Sequence, residues 1–108
     1  MIVKNESVNL ARCLGSIRQV VDRIVIGDTG STDDTAAIAR SFAAEIIPVP
    51  WNGDFAAARN TVLCQSRCDW IVVLDADEML DANGAAALAK AAQQPEPAAY
   101  DVCRWNYV

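Results

Sequence analysis

Asp75, Asp77 and Glu78 set three carboxylates within four positions, directly behind the apolar run of residues 70–74. Like charges this close repel, and a chain keeps them together when a cation or a set of donors sits between them. An Asp-x-Asp turn suits a hard divalent ion. Mg²⁺ or Mn²⁺ prefers oxygen ligands and is usually held by one or two carboxylates, with substrate phosphates supplying further oxygens. The chain contains no histidine. That removes Ser-His-Asp and Cys-His pairs and any imidazole-ligated metal, so carboxylates are the metal-holding groups to consider. Each acidic residue also has a plainer use. Asp75 and Asp77 can form a solvated loop capping the next helix, and Glu78 can be a solvated or capping carboxylate.

The elements that must position these groups alternate strand and helix. "MIVK" opens as a short strand. Leu10, Leu14, Ile17 and Val21 recur at helical spacing, with Ser7 as the expected N-cap. Residues 23–27, "RIVIG", are β-branched and apolar, which predicts a strand. "DTGSTDD" is turn chemistry, followed by a helix with Thr35, Ile38 and Phe42 on one face. Residues 45–49 form the next strand. Asp54 is placed to cap a helix carrying Phe55, Ala58 and Val62. Residues 70–74, "WIVVL", read as a strand, residues 82–94 as an Ala-rich helix stopping at Pro95, and residues 99–108 as a closing strand. Alternation of this kind, with near-continuous apolar strands, predicts a mostly parallel sheet with helices on both faces: a Rossmann-like three-layer α/β/α fold.

In open sheets of this class, ligands bind beyond the carboxyl ends of the strands. Asn5 and Glu6 follow the first predicted strand, Asp28 the second, and Asp75, Asp77 and Glu78 the run 70–74. A parallel sheet therefore makes these groups converge on one edge. There Asp28 can accept hydrogen bonds from a base or ribose, although Asp-Thr-Gly-Ser is also ordinary turn material. Arg59 can meet a phosphate or a base edge, or serve as a surface charge.

Composition narrows the partners. With 108 residues, one domain spanning residues 1–108 is expected, and 53% hydrophobic residues are enough to fill a core. The net charge of −5 argues against nucleic acid or an anionic membrane surface as the main partner. No apolar run approaches the ~20 residues of a membrane span, and the N-terminus has no secretory pattern. Cys13, Cys64, Cys68 and Cys103 are expected to be reduced core residues, Cys64 and Cys68 sharing a helix face, in keeping with a cytoplasmic location. The first strand has no lead-in and the last runs to the final residue, so a piece of a longer chain is expected.

Four blocks in order, "MIVKNE", "IVIGDTGSTDDT", "WNGDFAAARN" and "WIVVLDADE", resemble the nucleotide-binding half of family 2 glycosyltransferases of the GT-A fold, over roughly residues 1–80. The resemblance implies transfer of a sugar from a nucleotide diphosphate, often UDP, to an acceptor with inversion at the anomeric carbon. Position by position, it implies that Asp28 contacts the base and that Arg59 lies against the nucleotide. Asp75 would reach the ribose or a metal-bound water, Asp77 would ligate Mg²⁺ or Mn²⁺, and Asn5 and Glu6 would border the pocket.

Two departures stand out. Lys4 occupies a position that is aromatic in many relatives, which puts base stacking there in question. The acceptor site and base belong to a C-terminal half absent from these residues, and Asp81, Glu96 and Asp101 do not match the base. The unknown acceptor would need that half, and an uncovered closing strand would favour self-association. Alternatives are a non-catalytic nucleotide-sugar-binding fragment and a haloacid dehalogenase-like phosphatase, whose nucleophile strand "VVLDADE" also resembles. A dinucleotide-binding domain is set aside, because "KNESVN" stands where a Gly-x-Gly-x-x-Gly should follow the first strand.

Overall fold

The computed structural model describes residues 1–96, 99, 100, 102–104 and 106. Strands β1 (Ile2–Val3), β2 (Val25–Asp28) and β3 (Glu45–Pro48) form one parallel sheet in the order β1-β2-β3. The register sets Val3 beside Asp28 and Asp28 beside Pro48, so all three strands end level and Asp28 closes the central one. Helices α1 (Leu10–Ile17), α2 (Thr35–Ser41), α3 (Phe55–Leu63) and α4 (Ala82–Ala91) complete the described elements.

Side-chain alternation along the strands divides the core in two. Val3 and Ile26 pack with Leu10 and Leu14 of α1 and Ala39 of α2. Ile2 and Val25 pack on the opposite face with Val49 and with Ala58 and Val62 of α3. The sheet is thus covered on both sides, as the alternating pattern predicts. Gly27 lets α3 approach closely: a Cβ there would lie 2.5 Å from Val62 Cγ2 and 2.9 Å from Val49 Cγ2.

Local signals set the helix starts. Asp54 caps α3 by accepting from the Ala57 amide at 3.0 Å, and the Asp81 side chain accepts from the Gly84 amide to cap α4. The expected Ser7 cap does not form. Asn9 takes the N-cap position of α1 without a side-chain bond, and the Ser7 amide donates instead to Asp33 Oδ2. Helix α1 ends at Ile17, short of Val21, and α4 ends at Ala91, short of residue 94. Phe55 is exposed rather than joining Ala58 and Val62, because it packs edge-on against Trp51.

The largest departure concerns residues 70–74, which form no strand. A strand needs a ladder partner, and β1 offers only two residues of edge. A cavity of about 430 Å³ lies between Met1 and Ile2 on one side and residues 71–74 on the other. Ile71 and Val73 remain about half exposed, at 47% and 52%. The expected closing strand also has no counterpart among the described residues of 99–108, while Asp101, Trp105, Tyr107 and Val108 lie outside them. Tyr100 lies 5.4 Å from Trp70, ring to ring, and its hydroxyl donates to the Ala91 carbonyl.

All four cysteines are free, but only Cys13 is buried; Cys64, Cys68 and Cys103 are exposed. Helix α3 stops at Leu63, so Cys64 and Cys68 share no helical face. No described helix is long and apolar enough to cross a membrane.

Candidate functional site

The predicted residues gather into two groups. The first joins the loops after β1 and β2. Asn5 adopts φ 53, a left-handed conformation that Asn tolerates better than most residues. This turn aims its carboxamide at the β2–α2 loop, where Asn5 Oδ1 accepts from the Thr32 amide at 2.8 Å. The Asn5 amide donates to Ser31 Oγ at 2.9 Å, and the Glu6 amide donates to Thr35 Oγ1 at 2.8 Å.

Asp28, half-buried at the end of β2, accepts from the Gly30 and Ser31 amides through Oδ1, at 3.1 and 2.8 Å. Its Oδ2 makes no hydrogen bond among the described residues, so one acceptor is fixed in direction and open. Asn5 and Glu6 therefore do structural work: their backbone and the Asn5 side chain tie the two loops together. Among the described residues, the Glu6 carboxylate is touched only by Asn9 Nδ2, at 3.5 Å.

Asp33 braces this group. It accepts from the Ser7 amide and from both the amide and the hydroxyl of buried Thr35. These hydrogen bonds, with the Thr35 hydroxyl foremost, hold its carboxyl well below the usual range. The residue was legible only as turn material, because its role depends on Ser7 arriving from a distant loop.

The second group surrounds the Asp-x-Asp turn. Arg59 Nη2 lies 3.4 Å from Asp75 Oδ1, with both side chains partly exposed. Glu78 folds back so that its Oε2 accepts from the Asp75 amide at 2.9 Å, and its Oε1 pairs with Arg104 at 3.0 Å. Cys13 Sγ donates to the Asp75 carbonyl at 3.4 Å. Burial, followed by the negative charge of Glu78, pushes the Cys13 thiol up to about 11. Asp77 is exposed and makes no hydrogen bond among the described residues. Sequence reasoning missed Cys13 and Arg104 here, since neither lies near the motif in the chain.

No side-chain hydrogen bond links the two groups among the described residues, and no cluster of three or more His, Cys, Asp or Glu that could hold a metal occurs among them. The donor set nevertheless fits a hard divalent ion. Asp77 is an open carboxylate, Asp75 adds a second, and a diphosphate would supply the remaining oxygens.

The model of "Glycosyl transferase family 2" matches residues 1–108. A TPR repeat-containing protein of Synechococcus elongatus is 43% identical over 104 residues, covering 96% of this chain and 26% of that protein. An uncharacterized glycosyltransferase of Rickettsia felis is 40% identical over 82 residues, covering 74% of this chain and 28% of the relative. The chain thus spans about a quarter of the length of these relatives.

Among solved structures, glucosyl-3-phosphoglycerate synthase from Mycobacterium tuberculosis with uridine diphosphate superposes at a TM-score of 0.63. Identity is 26%, with 72% of this chain and 32% of that one covered. The same enzyme with Mn²⁺, uridine diphosphate and glucosyl-3-phosphoglycerate gives a TM-score of 0.55 at 25% identity, covering 63% of this chain and 28% of that one. The α/β architecture is that of these GT-A glycosyltransferases, and the phosphatase reading of "VVLDADE" falls. With its whole length matched by the family model, this chain belongs to glycosyl transferase family 2.

Proposed function

We propose that this chain is the donor-binding part of an inverting glycosyltransferase that takes its sugar from a nucleoside diphosphate, most simply UDP. The observation that carries the reading is the Arg59–Asp75 pair at the Asp-x-Asp turn. It sets a guanidinium against the first carboxylate of a turn whose second, Asp77, is exposed and makes no hydrogen bond among the described residues, a donor set suited to a metal-bound diphosphate. The uridine diphosphate and Mn²⁺ held by the mycobacterial enzyme support it.

Asp77 would hold Mn²⁺ or Mg²⁺, and Asp75 would reach the ribose or a metal-bound water. Asp28 accepts from the base through its open oxygen, and Arg59 turns from Asp75 toward a phosphate oxygen. Asn5 and Glu6 shape the pocket rim by fixing the β1–α1 loop. The bound ion would supply positive charge that stabilises the departing nucleoside diphosphate. Inversion requires a base that deprotonates the acceptor hydroxyl, and none of the residues in either group is placed in that role. Free exposed cysteines suit a reducing, cytoplasmic setting.

A titration of the chain with UDP-, GDP- and ADP-sugars in Mn²⁺ tests the proposal. Binding of a UDP-sugar in preference to the other two is expected. Absence of binding to every nucleotide would overturn it.

A further inference from the structure

An exposed aromatic residue stands close behind the carboxyl end of β3. Asp28 pairs with Pro48 across the β2–β3 ladder, and the Val49 amide donates to the Asp28 carbonyl at 2.8 Å. Trp51 follows three residues after Pro48. A groove of about 780 Å³ is lined by Asp28, Thr29, Gly30, Pro50 and Trp51, with Arg40 on its α2 side.

Trp51 is a large apolar side chain left 42% exposed at this groove. Its ring is not loose: Phe55 packs against it edge-on, with centroids 4.7 Å apart and planes at 70°. Phe55 is itself held at the first turn of α3, directly after the Asp54 cap. An indole fixed in orientation and open on part of its surface is a stacking platform of low entropic cost. At the same groove, Asp28 offers one open carboxylate oxygen whose direction is set by the Gly30 and Ser31 amides. An open acceptor and an aromatic face at one groove together describe a planar heterocycle with an N–H edge.

We infer that Trp51 is the base-stacking residue of this chain, with the nucleobase of the donor lying on the indole while its N–H edge meets Asp28. The inference rests on the donor-binding reading above and adds a specificity-determining residue to it. A uracil presents one imide N–H to a single acceptor, whereas adenine offers no ring N–H at its pairing edge. The β2–β3 groove therefore favours a base with a ring N–H at that edge over adenine. Stacking is worth roughly a five- to hundredfold change in affinity per base when the aromatic residue is removed.

The test compares UDP with inorganic pyrophosphate, which shares the diphosphate and lacks the base. Both are titrated in Mn²⁺ into the full chain and into Trp51→Ala, Trp51→Leu and Trp51→Phe, with circular dichroism confirming folding. The expected result is about a tenfold or greater loss of UDP affinity in Trp51→Ala and Trp51→Leu, with Trp51→Phe near wild type and pyrophosphate affinity equal in all four. If Trp51→Ala does not fold, the Leu and Phe pair carries the comparison. UDP binding unchanged in Trp51→Leu would overturn the stacking role and leave the donor-binding reading intact. Equal loss for UDP and pyrophosphate would assign Trp51 a purely structural part and overturn the role as well. Failure of the wild-type chain to bind UDP would remove the stacking role, and the donor-binding reading falls with it only if the GDP- and ADP-sugars also fail to bind.

Discussion

Arg59 and Asp75 meet at 3.4 Å, Nη2 to Oδ1, across sixteen residues of chain. That separation is long for a charge-assisted bond, which is usually about 2.7–2.9 Å. Both side chains are partly solvated, at 39% and 51% exposure, so the pair contributes little to stability. A weak pair is easily exchanged. A diphosphate oxygen presented to Arg59 can replace Asp75 as its partner, freeing that carboxylate to face the ribose or a metal-bound water.

Arg59→Ala should therefore weaken UDP binding by about 1–3 kcal/mol, the range for a hydrogen bond to a charged group. Its effect on folding should stay within about 1 kcal/mol. Calorimetry and urea unfolding on the same preparation separate the two. Normal binding in a destabilised variant would make Arg59 a structural residue.

Gly27 sits under α3, the helix that carries Arg59. A methyl at this position collides with Val62 and Val49 at 2.5 and 2.9 Å. Gly27→Ala should cost about 1–3 kcal/mol in urea unfolding through overpacking. A change below about 0.5 kcal/mol would mean that α3 yields without strain.

Asp33 ties Ser7 to the start of α2. Its carboxyl is held below the ordinary value of 3.8 by hydrogen bonds from Thr35 and Ser7. A depressed folded pKa gives stability that is complete above the unfolded value and lost as pH falls through the folded one. Asp33→Asn should thus be less stable than wild type at pH 7, with the gap narrowing below about pH 4. A gap that stays constant from pH 7 to pH 2 would contradict this assignment.

Cys13 is buried against the Asp75 carbonyl with its thiol raised to about 11, while Cys64, Cys68 and Cys103 are exposed. Alkylation at pH 8 should modify those three in the native chain and reach Cys13 only after denaturation. Rapid native labelling of Cys13 would show that the Asp75 turn opens.

The sequence was most legible where structure is decided locally. Asp54 announces its helix because a cap is a contact between residues three apart. Strands β2 and β3 were readable because each is a β-branched run bounded by turn residues. Residues 70–74 carry the same local signal but find no ladder, since pairing is set by the length of edge β1 offers. The site shows the same division. The carboxylates stood out by type, whereas the meeting of Arg59 with Asp75 and the bracing of Asp33 by Ser7 depend on tertiary placement. Trp51 carried no local signal of its own, and its neighbourhood to Asp28 follows only from the β2–β3 register.

The central claim is that Asp77 holds a divalent ion that a nucleoside diphosphate completes. Calorimetric titration of the chain with UDP in Mn²⁺ and again in EDTA, repeated on Asp77→Ala, tests it directly. The account predicts binding in Mn²⁺ that collapses in EDTA, and an Asp77→Ala variant indifferent to the metal. Equal UDP affinity for the wild-type chain in Mn²⁺ and in EDTA would contradict it.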